Sequence, residues 1–189
     1  MNRIVLVLMA AVFVTFAQAA PLSLTLTPTS GVVGGLPGTA VGWGFTLTDT
    51  SASDWVVLND SYFVGSPVYG TYSDYVSSAF YLAGPSPEST TVAVTWNPGL
   101  LLGVGEFDLF ATDPHGPLIA GTINVDYSVF SEDPNSPSFD PASFVSSGTF
   151  SDPVRVQVTP EPASWALMMG AALVAFVLLR RRDAAKIWG

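Results

Sequence analysis

The sequence predicts an all-β protein: an antiparallel β-sandwich of the Ig-like type, followed by a single C-terminal transmembrane helix. Three observations carry this. Residues 20–158 alternate apolar and polar side chains with period two and show no sustained helical period. Clusters of Gly, Pro, Asn and Asp separate these alternating runs. One long apolar run, 163–179, then precedes three consecutive arginines.

The elements follow in order. Leu22, Leu24 and Leu26 are separated by Ser23, Thr25 and Thr27, the pattern of a half-buried strand. Val41, Trp43, Phe45 and Leu47 point one way, and Gly42, Gly44, Thr46 and Thr48 the other. Val92, Val94 and Trp96 alternate with Ala93 and Thr95. Phe107, Leu109 and Ala111 oppose Glu106, Asp108 and Phe110. Residues 119–130 read as one long strand with Ile123, Val125, Tyr127 and Val129 on one face. In a last strand Val154, Val156 and Val158 stand opposite Arg155 and Gln157. The turn clusters are Gly34-Gly35-Leu36-Pro37-Gly38, Gly84-Pro85-Ser86-Pro87 and Asp113-Pro114-His115-Gly116-Pro117. Eight or so strands, each with one apolar face, must bury those faces against a second sheet.

Composition narrows the function. The net charge is −9, and Arg155 is the one basic residue between Arg3 and Arg180. A phosphate-binding surface needs clustered Lys or Arg, so nucleic acid is excluded as a partner of the central region. With no cysteine, neither disulfides nor thiolate metal sites are available, and an apolar core must hold the domain.

The two ends carry targeting patterns. Arg3 precedes an apolar stretch from Ile4 to Phe16, and Ala17-Gln18-Ala19 is a small-residue cleavage site. This predicts a signal peptide over 1–19 and a mature N-terminus at Ala20. At the other end, Pro160-Glu161-Pro162 precedes the apolar run 163–179 and then Arg180-Arg181-Arg182. As a helix that run spans roughly 25 Å, somewhat short of the ~30 Å hydrocarbon core, a gap that snorkelling flanks can cover. The arginines set its end in the cytoplasm and the domain outside. The division is therefore signal peptide 1–19, ectodomain 20–158 and tail 159–189.

On these residues the tail resembles the PEP-CTERM sorting domain: Thr159-Pro160-Glu161-Pro162-Ala163-Ser164-Trp165-Ala166-Leu167, then Arg180-Arg181-Arg182. The resemblance covers about the last thirty residues. It implies a membrane protease of the exosortase type as partner, cleavage near Pro160-Glu161-Pro162, and a Gram-negative-type host that makes exopolysaccharide. The protein would then start as an inner-membrane precursor and end at the cell surface or in the matrix. The seven residues after the arginines depart from the family pattern. Within the ectodomain, the segments 41–48 and 130–141 look like ectodomains joined to such tails. The Pro37-Gly38 turn before the strand 41–49 is similar to bacterial Ig-like modules.

Chemistry is sparse. The one histidine, His115, sits in a proline-flanked turn, and neither a nucleophile elbow nor a phosphate loop occurs. Glu106 and Asp108 alternate with Phe107 and Leu109 and read as the solvated face of a strand, with a glycosidase pair of carboxylates as the alternative. Asp133, Asn135 and Asp140 offer hard oxygen ligands suited to Ca²⁺, but Pro134 and Pro137 break an EF-hand pattern and a proline-stiffened turn with exposed acids is the favoured reading. Tyr62, Tyr69, Tyr72, Tyr75 and Tyr81, with Trp55 and Phe63, could form a sugar-stacking face or belong to the core. The expected protein is non-enzymatic and needs no cofactor. It is either a surface or matrix protein associated with exopolysaccharide or a carbohydrate-binding module carried on the same tail.

Overall fold

A computed structural model describes residues 22–65, 69–85, 87, 90–112, 118–159, 166–174 and 176. Its described residues form ten strands: β1 Leu22–Thr27, β2 Val32–Gly35, β3 Ala40–Asp49, β4 Trp55–Gly65, β5 Gly70–Asp74, β6 Leu82–Ala83, β7 Thr91–Val94, β8 Gly105–Leu109, β9 Leu118–Phe130 and β10 Phe144–Val158. Two five-stranded sheets result. The first runs β1-β3-β8-β5, with β7 also paired to β3, and the second runs β2-β10-β9-β4-β6.

The apolar faces of both sheets meet in one core. Trp43, Phe45, Leu47 and Phe107 come from the first sheet, and Ile119, Ile123, Val125, Val154 and Val156 from the second. Phe63 of β4 meets Phe107 of β8 edge to face at 5.3 Å across the interlayer gap. Fully burying side chains of this size stabilises by about 1.5–3 kcal/mol each. The Trp43 indole N–H donates to the Gly31 carbonyl at 3.0 Å, so its one polar atom is satisfied in the core.

The alternations in β1, β3, β7, β8, β9 and the end of β10 hold. The turn before β3 forms as expected: Gly38 takes a φ of +77° and Thr39 N–H donates to Leu36 O at 3.1 Å. Several expectations are corrected. The second sheet is not wholly antiparallel, because β2 pairs with β10 in parallel, Val32 beside Arg155 and Gly35 beside Val158. Gly34 and Gly35 thus belong to a strand and not to the turn. Gly42 and Gly44, opposite the Trp43 face as expected, are buried because residues 94–96 cross over them. β10 starts well before Val154, at Phe144. Apart from these corrections, residues 166–174 are helical and exposed; among the described residues no helix is long and apolar enough to cross a membrane. The signal segment with Ala17, Ala19 and Ala20 lies outside the described residues. So do His115, Trp165, Pro160, Glu161, Pro162, Arg180, Arg181 and Arg182.

Candidate functional site

The candidate residues scatter once folded. The aromatic group does not make one outward face. Tyr75 and Tyr81 are 3% and 8% exposed and sit in the interior, and Tyr81 packs edge to face on Phe45 at 5.0 Å. Phe63, Tyr69 and Tyr72 pack against the core, and of the seven only Tyr62 is counted among the exposed large apolar residues. The tyrosines therefore serve chiefly as core and do not form one shared sugar-stacking face.

Asp133, Asn135 and Asp140 do not converge as ligands. The Asp133 carboxylate accepts from Asn135 N–H at 2.8 Å, and the Asp140 carboxylate from Ala142 N–H at 2.8 Å. Both acids cap local turns, the second at the start of a 3₁₀ turn over Pro141–Ser143. Among the described residues no group of three or more His, Cys, Asp or Glu side chains is placed to hold a metal ion.

Glu106 and Asp108 are half-buried, not fully solvated. Glu106 pairs in register with Gly42, whose missing side chain leaves room for the Trp96 indole. Trp96 Nε1, Glu106 Oε2 and the Tyr75 hydroxyl are buried polar atoms that find no hydrogen-bond partner among the described residues. Burial pushes the Tyr75 hydroxyl far above the usual phenol range, and the Glu106 and Asp108 carboxylates push the same way.

A second polar cluster lies between the layers. Ser61 is buried on β4; its hydroxyl meets the Tyr72 hydroxyl at 2.8 Å, the Val104 carbonyl at 2.7 Å and the Asp74 carboxylate. Asp74 also accepts from Val76 N–H and Ser77 N–H at 2.8 and 3.0 Å. Burial raises the Tyr72 phenol, the Ser61 hydrogen bond opposes that, and the Asp74 and Asp60 charges add to it. Every partner is either protein backbone or another member of the cluster, so this network locks β4, β5 and the turn after it.

The outer face of the second sheet differs in character. β4 carries a bulge between Leu58 and Asp60. Val56 and Leu58 point inward before it and Ser61 after it, so Asn59 and Asp60 are both exposed. Across β4, β9 and β10 the polar side chains bond in pairs. Asn59 donates to Ser128 at 2.9 Å, Thr149 to Asp126 at 2.5 Å and Ser151 to Asn124 at 2.7 Å. A shallow cleft of about 350 Å³ opens over Asn59, Asp126, Ser128 and Thr149 with Phe144 at its rim. None of these residues is singled out by the sequence, where Asp126 and Ser128 simply fall on the strand 119–130.

No protein-family model and no curated protein matches the chain. Among solved structures it is similar to AggA, the major subunit of aggregative adherence fimbriae type I from Escherichia coli, at 11% identity and a TM-score of 0.37, covering 74% of this chain and 95% of that one. It is also similar to a chain of the CaDoc0917–CaCohA2 complex at 16% identity and a TM-score of 0.26, covering 73% of this chain and 99% of that one.

Proposed function

We propose that this chain is a non-catalytic exported surface protein, presented by a C-terminal membrane helix, processed by an exosortase-type protease and associated with exopolysaccharide. The observation that carries the reading is the order of three elements at the C-terminus: Pro160-Glu161-Pro162, the apolar run 163–179, and Arg180-Arg181-Arg182. A plain stop-transfer anchor needs the apolar run and flanking charge but not the prolines. Two prolines fix an extended backbone and remove N–H donors, which keeps this segment out of both the last strand and the membrane helix. An extended segment at the membrane surface is what a membrane protease can grip, and Glu161 offers it one carboxylate. The signal segment 1–19 directs the same side of the chain outward. The ionisable side chains support the non-catalytic part of the reading: Asp133 and Asp140 cap turns and Asp74 is bound within a structural network.

The test replaces Pro160-Glu161-Pro162 by three alanines in the native host and follows the protein by immunoblot of fractionated cells. The expected outcome is normal insertion with a full-length species accumulating in the inner membrane. Identical size and location for variant and wild type would leave a simple anchor.

A further inference from the structure

We propose that the outer face of the second sheet binds a neutral polysaccharide strand laid across β4, β9 and β10. The proposal rests on the reading of a polysaccharide-associated surface protein and names the surface through which that association runs.

The face is built for hydroxyl recognition. Its three cross-strand pairs, Asn59–Ser128, Asp126–Thr149 and Asn124–Ser151, hold each side chain in place before any ligand arrives. Ordering already present in the free protein need not be supplied on binding. Each pair still has capacity to spare. Asn59 gives one of two amide hydrogens, Asn124 uses its carbonyl and not its amide hydrogens in the pair, and Asp126 has a second oxygen. Donors and acceptors thus alternate along the face, as the hydroxyls of a sugar require. From Ser128 to Asn124 the strip runs about 13 Å along β9.

An aromatic stands at each end. Phe144 is 51% exposed at the cleft rim, and Tyr62, 42% exposed, pairs in register with Asn124. Sugar rings present C–H groups to such faces. The β4 bulge turns Asn59 outward beside Asp60, and a bulge is a recurrent means of re-aiming side chains at a site.

Charge selects the class of polymer. Asp60 and Asp126 lie opposite each other in register, so an anionic polymer is repelled. An extended peptide would dock on a strand edge through its backbone, not across a hydrogen-bonded face. A neutral polyol meets both conditions.

The test uses the full-length protein in detergent micelles, in native gels cast with dextran, laminarin, galactomannan, the neutral polysaccharide fraction of the expressing cells, or the polyanion alginate. Retardation is expected in at least one neutral gel and not in alginate. The Tyr62→Ala/Phe144→Ala pair weakens it by about tenfold or more. Thr149→Val/Ser151→Ala, which leaves every buried side chain in place, weakens it comparably; it keeps the test decisive should the aromatic pair disturb packing. Absence of retardation in every neutral gel, retardation in alginate, or wild-type mobility for the polar pair overturns the proposal. Because the purified protein is assayed, a chain that binds but is never processed in cells sinks the sorting reading alone. A chain that is processed but does not bind sinks this one alone.

Discussion

At the scale of single residues, Ser61 has the largest consequences for its size. It looks like an interruption of an apolar segment, yet its hydroxyl engages Tyr72, Asp74 and the Val104 carbonyl in the interior. Ser61→Ala leaves buried acceptors without their donor, which costs about 1–3 kcal/mol. Urea unfolding of the full chain should show the drop as a lower midpoint with an unchanged slope; an unchanged midpoint would mean that solvent reaches the cluster. The tyrosines give a pH signature. Burial raises both Tyr72 and Tyr75 above the usual phenol value. An acid whose folded pKa is raised stays protonated in the folded state while the unfolded chain ionises. Its stabilising contribution is therefore complete below about pH 10 and declines as pH rises beyond it. The urea midpoint should hold from pH 8 to 9.5 and fall above pH 10, and Tyr75→Phe should flatten that fall. Gly121 makes a complementary point, because a Cβ there would sit 2.3 Å from the Phe63 ring and 2.6 Å from Val64 O.

At the scale of elements, the bulge in β4 absorbs one extra residue and keeps each later residue on its face. Deleting Asn59 removes the extra residue and leaves strict alternation, with Ser61 and Phe63 still inward and Asp60 and Tyr62 still outward. The expected result is a variant that keeps cooperative thermal unfolding and a native near-UV circular dichroism spectrum; loss of either would show that the bulge does more than carry one extra residue. The same bulge explains why β4 was invisible in the sequence. Its apolar period breaks at Asn59, and an inward serine follows. The first half of β10 was hidden for a related reason: its inward positions are Gly148, Phe150 and Asp152. Gly148 is covered by the Tyr127 ring, which stacks on Phe150 at 4.6 Å. The parallel edge strand β2 ends in Gly34-Gly35 and so carried turn chemistry. Strands with large apolar side chains on most inward positions, such as β1 with Leu22, Leu24 and Leu26 and β9 with Ile119, Ile123, Val125 and Val129, were legible throughout. The polar face was not, because serine and threonine rows acquire meaning only when three strands bring them side by side.

At the scale of the whole molecule, the core determines what can be removed. Every buried apolar side chain of the described structure lies between Leu24 and Val158, drawn from both sheets. The chain has no cysteine, so no covalent staple compensates for a weak core. A segment of about 140 residues buries enough of its surface to fold alone. The acids at Asp133 and Asp140 are engaged by backbone N–H groups, so their turns close without a bound ion. Residues 20–158 expressed without either end are therefore expected to fold as a soluble all-β monomer that needs no metal. Far-UV circular dichroism should show a β spectrum, sedimentation a single monomeric species, and EDTA no change in the melting temperature. A helix-dominated spectrum would refute the assignment of the core to the two sheets. A chelator-induced loss of structure would show that the loop after β9 depends on a cation after all. Self-association in sedimentation, abolished by replacing exposed Tyr62 and Phe144, would turn the outer face of the second sheet into a contact between copies of the chain.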